Sequence, residues 1–228
     1  LTPMMRQYVE IKDKYQDCIL FYRVGDFYEM FYDDALTASR ELELTLTGRD
    51  CGQGERAPMC GVPYHSAEGY IAKLVQKGYK IAICEQMEDP KKAKGLVKRE
   101  IIRRVTPGTV VEASMLDENR NNFLGCVYAA GGSVGVCFAD ITTGSVYATG
   151  SDNWNDITSE FGRFAPREVL VGGGAISADS LQSFLKERLE ALIEPMPEEC
   201  FEAQRSAERI QEHFKVQDFD AAGLTDLP

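Results

Sequence analysis

Apolar positions in the first part of the chain follow a helical, then a strand-like, then again a helical spacing. Thr2 and Pro3 predict a helix start, because threonine caps helices and proline fits the first helical turn. A continuous apolar run over 18–24 predicts a buried strand, which ends at Gly25-Asp26. Beyond that stop, apolar residues recur at helical spacing, which predicts a helix over 27–42 with an inward stripe at 27, 31, 35, 38 and 42.

Between this helix and residue 110 the pattern is less regular. Glycines and charged residues over 48–58 break every apolar period, so this segment is predicted to be a loop, followed by an irregular stretch over 59–65. Ser66 is predicted to cap a helix that ends near residue 77, because a polar cap there precedes apolar positions at helical spacing. Strands are expected at 44–47, 80–87 and 97–105.

The second half shows strands first and then alternates between strands and helices. Three apolar runs separated by glycine-containing turns predict a three-stranded antiparallel meander over 123–130, 134–141 and 145–149. The segments that follow favour a mixed sheet with helices on its faces. Helices are expected at 154–164, 178–190 and 202–214, and strands at 168–172 and 192–194.

Length and pattern together predict an α/β chain, of α+β type, with two domains. The N-terminal domain is expected to be a mixed sheet with helices, and the acidic segment 110–120 is expected to connect it to the next. Because the chain starts with Leu1 rather than methionine, we expect it to be part of a longer protein. No run approaches the ~20 apolar residues of a membrane span, and no signal segment opens the sequence, so no membrane partner is expected.

The net charge of −11 is distributed unevenly. Residues 1–110 carry 17 lysines and arginines against 16 acids, a net of +1, whereas residues 111–228 carry 8 against 20, a net of −12. Within the first half, the segment 91–104 holds seven basic residues and one acid. A near-neutral half with a basic segment can approach phosphates, and a strongly acidic half should avoid them. The alternative is a solvated loop and strand edge whose lysines discourage edge pairing.

Motifs for catalysis, nucleotide binding and metal binding are scarce. The sequence contains no P-loop and no nucleophile elbow, and Gly172-Gly173-Gly174 is better explained as a turn than as a phosphate cradle. The seven cysteines show no C-x-x-C spacing, which favours reduced, buried thiols over disulfides or a zinc site. We therefore expect no metal or cofactor on this chain and no enzymatic activity.

Six aromatic rings crowd into residues 21–32, and two interpretations of this stretch compete. In the first, Asp26 and Glu29 form a capping box and Phe27 is the first residue of a core stripe. In the second, the turn at Gly25 presents Phe27 and Glu29 as a functional pair, since turns on a rigid scaffold commonly carry function. Residue pattern alone leaves both interpretations open.

A family resemblance decides between these interpretations. Four segments carry it, at 21–35, 58–65, 82–86 and 103–109, and they read F-Y-R-V-G-D-F-Y-E-M-F-Y-D-D-A, P-M-C-G-V-P-Y-H, A-I-C-E-Q and R-R-V-T-P-G-T. In order and spacing they resemble bacterial MutS, a family of mismatch-recognition proteins in DNA repair. The resemblance covers the whole chain, more weakly after about residue 150.

The resemblance implies a mismatch-binding domain at 1–107, a linker at 108–117 and a connector domain at 118–228. It implies that the connector is ribonuclease H-like, lacks nuclease activity and stops short of its last helix. The family's ATPase, with its ATP and magnesium, is expected outside this chain. Mismatched double-stranded DNA, a MutL-type repair protein bound through the connector, and a second copy in a homodimer are the implied partners. The implied location is the bacterial cytoplasm, at the nucleoid.

Carried onto this sequence, the family's Phe-x-Glu motif implies that Phe27 wedges between base pairs and that Glu29 contacts a base. We expect Glu29 to take up a proton on binding, because the base nitrogen it meets is itself a hydrogen-bond acceptor and nearby phosphates raise a carboxyl pKa. Weaker candidates for backbone contacts are Arg99, Arg103 and Arg104. Arg49 and Arg56, in the segment predicted to be a loop, could also reach a DNA backbone; the alternative is a plain surface loop with no such role.

Two further functions remain as alternatives. Asp140 ends a central strand of the meander, where two-metal nucleases of the ribonuclease H type place a ligand, but they need further carboxylates such as Asp179 or Asp218. Alternatively, the chain is a protein-interaction or signal-relay fragment that does not hold DNA by itself.

Overall fold

The structure is a computed structural model that describes residues 1–52, 54, 56–90, 93 and 95–219. Unit 1 comprises Leu1–Pro107 and Glu112–Met115, and unit 2 comprises Gly108–Val111 and the chain from Leu116 onward. Both units are mixed α/β, so the predicted fold class of two α/β domains is confirmed. The segment 108–117, predicted to be a linker, is divided between the two units.

Unit 1 is built on one mixed sheet of six strands. Its elements are α1 Pro3–Lys12, β1 Cys18–Val24, β2 Phe27–Phe31, α2 Tyr32–Leu42, β3 Thr47–Asp50, β4 Arg56–Pro63, α3 Ala67–Gln76, β5 Lys80–Gln86 and β6 Arg99–Val105. The strand order is β3-β4-β2-β1-β5-β6. Strands β1 and β5 run parallel, and the other neighbouring strands run antiparallel.

Helix α1 covers one face of this sheet. Its Met5 and Tyr8 pack with Leu20, Tyr22 and Phe31 in one buried cluster. Successive residues of a strand point to opposite faces, so the alternate residues of β1 and β2 turn toward the other face. Cys60 of β4 lies on that second face, where its thiol contacts the Ala35 carbonyl of α2. The sheet is therefore buried on both sides.

The predicted helix start at Thr2 is confirmed. The Thr2 hydroxyl accepts a hydrogen bond from the Met5 amide at 3.4 Å, and Pro3 opens the helix.

The predicted helix over 27–42 is wrong in its first five residues. Phe27–Phe31 is strand β2, and helix α2 begins only at Tyr32. Gly25 has a φ of +59°, which lets β1 and β2 close into a hairpin with Val24 paired to Phe27. The capping-box interpretation of Asp26 and Glu29 is therefore also wrong, since neither residue lies at a helix start.

The predicted loop over 48–58 and the irregular stretch over 59–65 are wrong for most of their length. Strands β3 and β4 form an antiparallel hairpin there, with Arg49 opposite Ala57 and Thr47 opposite Met59. The strand expected at 44–47 begins later, at Thr47. Residues 53 and 55 of the predicted loop lie outside the described residues.

Unit 2 contains a second mixed sheet, of five strands. Its elements are β7 Phe123–Ala130, β8 Ser133–Asp140, β9 Ser145–Ser151, α4 Trp154–Phe164, β10 Glu168–Gly173, α5 Asp179–Ser183, β11 Leu192–Pro195 and α6 Ala203–Phe214. The strand order is β11-β10-β7-β8-β9. The predicted meander is confirmed as β7, β8 and β9, while β10 runs parallel to both β7 and β11. This arrangement fits the ribonuclease H-like connector that the resemblance implies.

Aromatic rings fill the centre of unit 2. Phe138 of β8 stacks on Phe164 at a centroid distance of 4.3 Å and meets Phe161 edge-on at 5.2 Å. The helix predicted over 178–190 is confirmed as α5 and a wider π-helical turn, Phe184–Arg188. In the part of the chain that the structure describes, no helix is both long enough and apolar enough to cross a membrane.

Gly173→Ala is expected to destabilise unit 2 by at least about 2 kcal/mol, from the left-handed backbone and the steric clash together. Gly173 has a φ of +56°, and an added Cβ would lie 2.4 Å from the Ala129 carbonyl oxygen. Urea unfolding followed by the fluorescence of Trp154, the only tryptophan, measures the effect in this unit.

The matched control for this prediction is Gly174→Ala. An added Cβ at Gly174 would meet its nearest atom, the Ala129 carbonyl oxygen, at 3.4 Å, an ordinary contact. Equal unfolding midpoints for the two variants would contradict the steric argument.

Candidate nucleic-acid interface

The hairpin between β1 and β2 presents Phe27 at the surface. Phe27 is 46% exposed, although its neighbours Tyr28 and Met30 are buried. The turn is anchored on both sides: the Tyr64 amide donates to the Asp26 carbonyl at 2.9 Å, and the Arg23 Nε donates to the Gly25 carbonyl at 2.5 Å. The ring therefore projects from a fixed backbone and is not part of the core.

Polar and aromatic side chains support the base of this hairpin. The Tyr28 hydroxyl donates to the Glu85 carboxylate, which also pairs with the Arg23 guanidinium at 3.3 Å. The same guanidinium lies 3.6 Å from the centre of the Tyr64 ring, a cation–π contact. Burial, followed by the hydrogen bond to Glu85, raises the pKa of Tyr28 above its usual range. These contacts join β1, β2 and β5 to the turn that follows β4.

Glu29 lies two residues beyond Phe27 on β2, so both side chains point to the same face of the sheet. Its carboxylate forms an ion pair with the Arg49 guanidinium of β3. Gly61 of β4 is directly opposite Glu29 and has no side chain to block this contact. Burial raises the pKa of Glu29 above its ordinary value, against the lowering influence of Arg49 and, more weakly, Arg99. Glu29 is therefore an acid whose protonation needs less free energy than that of a solvated glutamate.

The Arg49 contact was missed at the sequence level. The segment around Arg49 was predicted to be a loop, in which no fixed partner can be assigned. No clear local signal could have revealed it, because the buried residues of β4, Ala57, Cys60 and Val62, do not keep the two-residue period of a strand.

Arg99, a predicted backbone-contact residue, is buried and only 8% exposed. Its guanidinium donates to the Arg23 carbonyl at 2.7 Å and to the Gln7 side chain at 3.0 Å, and it lies 4.8 Å from the Tyr22 ring centre. The geometry thus gives Arg99 a role inside unit 1 and does not favour a phosphate contact, because all these contacts would have to break first.

Arg103 and Arg104, the other predicted backbone contacts, have partners within unit 1. Arg103 pairs with Glu112, and Arg104 pairs with Asp17 at 2.8 Å. Arg104 is exposed and Arg103 is half-buried. Surface ion pairs of this kind contribute little free energy, so either side chain can exchange its partner for a phosphate. Neighbouring residues of β6 point to opposite faces, so only one of the two can face the DNA. Three lysines of the basic segment, at positions 91, 92 and 94, lie outside the described residues.

Asp140 of unit 2 is buried and engaged by its own turn. Its carboxylate accepts hydrogen bonds from the Thr142 amide at 2.9 Å, the Thr142 hydroxyl at 2.6 Å and the Asn121 side chain at 2.7 Å. Burial by itself would raise the pKa of Asp140, but these hydrogen bonds lower it below its ordinary value. Among the described residues, no cluster of three or more acids, histidines or cysteines is placed to hold a metal ion.

Comparisons with known proteins identify both halves of the chain. The family model for MutS domain I matches residues 2–114, and that for MutS domain II matches residues 122–228. DNA mismatch repair protein MutS of Acetivibrio thermocellus is 52% identical over 218 residues, which cover 94% of this chain and 25% of that protein. The MutS of Lachnoclostridium phytofermentans is 52% identical over 99% of this chain and 24% of its own length. The MutS of Clostridium tetani is 59% identical over 75% of this chain and 20% of its own length.

The chain thus spans about a quarter of the length of the curated relatives it matches. Two adjacent domain models and relatives at about half identity agree with the four sequence segments described above. The chain therefore belongs to the MutS family, of which it comprises domains I and II.

Proposed function

We propose that this chain recognises mismatched DNA by wedging Phe27 into the duplex and hydrogen-bonding a base through Glu29. The observation that carries the proposal is an apolar ring that is 46% exposed at the tip of an anchored hairpin, with a half-buried carboxyl on the same face. An exposed phenylalanine on a rigid turn contributes little to the core, so its position favours a role in binding.

Selectivity follows from the cost of deforming DNA. An apolar wedge in the minor groove unstacks a base step and kinks the duplex. A mismatched step has less pairing and stacking to lose, so opening it costs less than opening a matched step. Such a mechanism accepts many different mismatches, since it tests how easily the step deforms and does not read one base pair.

Glu29 adds a second test of the base it meets. A base nitrogen accepts a hydrogen bond, so a carboxyl must carry a proton to donate to it. Where no such hydrogen bond forms, the ionised carboxylate is repelled by the surrounding phosphates, which penalises matched DNA.

Other parts of the chain are proposed to supply affinity or to bind proteins. Arg103 and Arg104 are proposed as alternative backbone contacts, which fix position without selecting a sequence; as neighbours on β6 they point to opposite faces, so only one of them can face the DNA. Unit 2, within the half of net charge −12, is unsuited to phosphates and is proposed to bind a MutL-type protein. We further propose that the longer protein acts as a homodimer at the bacterial nucleoid.

The proposed function is tested by measuring fluorescence anisotropy with duplexes that differ only in one mismatched pair. The measurement uses this chain, and also a chimera in which it replaces the matching quarter of the full-length Acetivibrio thermocellus relative. Tighter binding to the mismatched duplex by either protein supports the proposal. If only the chimera prefers the mismatched duplex, the other domains of the longer protein supply the affinity that holds DNA. The isolated chain then corresponds to the signal-relay alternative, because it does not hold DNA by itself. Equal affinity for both duplexes in both proteins would refute the proposal.

Mismatch affinity is expected to weaken as pH rises, by at most about tenfold per pH unit, between the pKa of Glu29 in the free protein and its higher pKa in the complex. Affinity falls with pH because, over this interval, Glu29 has lost its proton in the free protein but keeps it in the complex, so binding must take up a proton. The charged or titratable groups that face Glu29 are Arg49, Arg99 and Tyr22. Glu29→Gln removes the titrating group, so its affinity should not vary with pH over that interval.

The matched control for the pH experiment is Glu10→Gln, which makes the same change at an exposed position on α1. This variant should keep the pH dependence of the unmodified protein. A Glu29→Gln profile that falls with pH as steeply as the unmodified one would exclude proton uptake by Glu29.

A further inference from the structure

The ion pair between Glu29 and Arg49 spans an intervening strand. Glu29 lies on β2 and Arg49 on the edge strand β3, with β4 between them. The register places Gly61 opposite Glu29 and Ala57 opposite Arg49, so both charged side chains point to the face that carries Phe27. A Cβ at Gly61 would lie 3.6 Å from the Glu29 Cγ, an ordinary contact, so Gly61 directly borders the Glu29 side chain.

This contact is incompatible with the proposed base contact. The Glu29 side chain is 14% exposed and that of Arg49 is 33% exposed, so the pair is shielded from water on the carboxylate side. A carboxylate held by a guanidinium is ionised and can only accept hydrogen bonds. To donate to a base nitrogen, Glu29 must leave Arg49 and gain a proton.

This inference rests on the proposed function. We propose that Arg49 is a positioning residue that holds Glu29 in an ion pair in the DNA-free protein and releases it to the base. The latch is the pair Glu29 and Arg49. When it opens, a solvent proton binds the carboxylate, the ion pair breaks, and the protonated carboxyl donates its hydrogen bond to the base. Arg49 keeps its charge and exchanges the carboxylate for a backbone phosphate.

The geometry gives the latch two consequences. It holds the carboxyl in one place before DNA arrives, which reduces the conformational entropy lost on binding. It also keeps Glu29 ionised until a base competes with Arg49 for the carboxyl group. A duplex whose base step does not open beside Glu29 therefore meets a carboxylate that is still paired with Arg49. Arg99, the other cation that faces Glu29, is held by Gln7 and the Arg23 carbonyl and cannot follow the carboxyl.

The first test uses the DNA-free chain and NMR titration of the Glu29 side-chain carboxyl carbon. Arg49→Gln is expected to raise the pKa of Glu29 by about one pH unit, the loss expected for an opposite charge in contact. Arg49→Lys keeps the charge and should return the pKa most of the way to the unmodified value. Arg56→Gln is the matched control, because Arg56 is exposed and bonds to the Gly48 carbonyl. An unchanged pKa in Arg49→Gln would show that no latch exists.

The second test asks whether the latch opens in the complex. If it opens, Arg49→Gln raises the pKa of Glu29 only in the free protein, and the total fall in mismatch affinity with pH shrinks about tenfold. If Arg49 stays paired with Glu29 in the complex, Arg49→Gln raises the pKa of Glu29 equally in the free protein and in the complex. The profile then moves to higher pH with its full amplitude, which would overturn the proposal.

The two tests also separate this inference from the proposed function. The carboxyl titration needs no DNA, so it reports on the latch even if mismatch binding fails. The binding profile uses the chimera wherever the isolated chain does not hold the duplex. Suppose that the mismatch preference depends on Phe27, while the affinity of Arg49→Gln falls with pH by as much as that of the unmodified protein. That result would refute the latch and leave the proposed function intact.

Discussion

Phe27→Ala is expected to weaken binding to a mismatched duplex by about tenfold to a hundredfold, because stacking on an aromatic ring contributes about 1–3 kcal/mol. Affinity for matched DNA should change little, since the wedge does not enter a sound step at equilibrium. The ratio of the two affinities, measured by anisotropy in the chain or the chimera, should therefore approach one. Folding should be preserved, because Phe27 is 46% exposed and closes its hairpin through backbone pairs.

The matched control for this experiment is Phe214→Ala. Phe214 lies on α6 in unit 2 and is 48% exposed, so the substitution removes a ring of nearly equal exposure elsewhere in the chain. Its mismatch preference should equal that of the unmodified protein. If Phe27→Ala and Phe214→Ala reduce the preference equally, the effect does not belong to the hairpin.

Asp34→Ala is expected to destabilise unit 1 by about 3 kcal/mol, the lower end for removing one partner of a buried ion pair. The buried Asp34 carboxylate pairs with the Lys12 Nζ at 2.8 Å and accepts from the Leu20 amide at 2.9 Å and the Tyr8 hydroxyl at 3.4 Å. Without it, the Leu20 amide in the core loses its side-chain acceptor. Lys12 retains the Cys18 carbonyl, which limits the loss.

The measurement for Asp34 is hydrogen exchange of the β1 amides across a urea series. The control is Asp33→Ala, which removes an exposed carboxylate from the same first turn of α2 and so has the same effect on the helix dipole. A surface change of this kind should stay within about 0.5 kcal/mol. Similar losses for both variants would attribute the effect to the helix start and not to the buried network.

Elements with one unambiguous period could be predicted from the sequence. The meander of β7, β8 and β9 alternates on period two and is punctuated by glycine turns, so propensity, pattern and turn chemistry agree. Helix α4 has an apolar stripe and an Asn153 cap, and it too lies where the pattern predicts it.

Strand β2 could not be assigned because its spacing fits two periods. Phe27 and Phe31 are four residues apart, as on one turn of a helix, yet Phe27, Glu29 and Phe31 also alternate as on a strand. The deciding signal was the Gly25-Asp26 pair, which is typical of a two-residue hairpin turn. In β3 and β4, glycines hide the apolar alternation, and only pairing with β2 makes these residues strands.

Charge alone also misjudged the exposure of Arg99. A basic segment predicts solvated side chains, since isolated buried cations are costly. Here the Tyr22 ring, the Gln7 side chain and two carbonyl oxygens surround the guanidinium, so burial is compensated. Apart from the Val97 carbonyl, those partners come from distant positions in the chain, and no local pattern around residue 99 could reveal them.

The central claim is that the ring of Phe27 pries open a weakened base step and bends the duplex. The direct measurement is energy transfer between dyes at the two ends of a short duplex, at protein concentrations that saturate it. The unmodified chimera should shorten the end-to-end distance of the mismatched duplex, as a kink of about 20–90° requires, and Phe27→Ala should leave it straight. An equally bent mismatched duplex in the saturated Phe27→Ala complex would contradict the account.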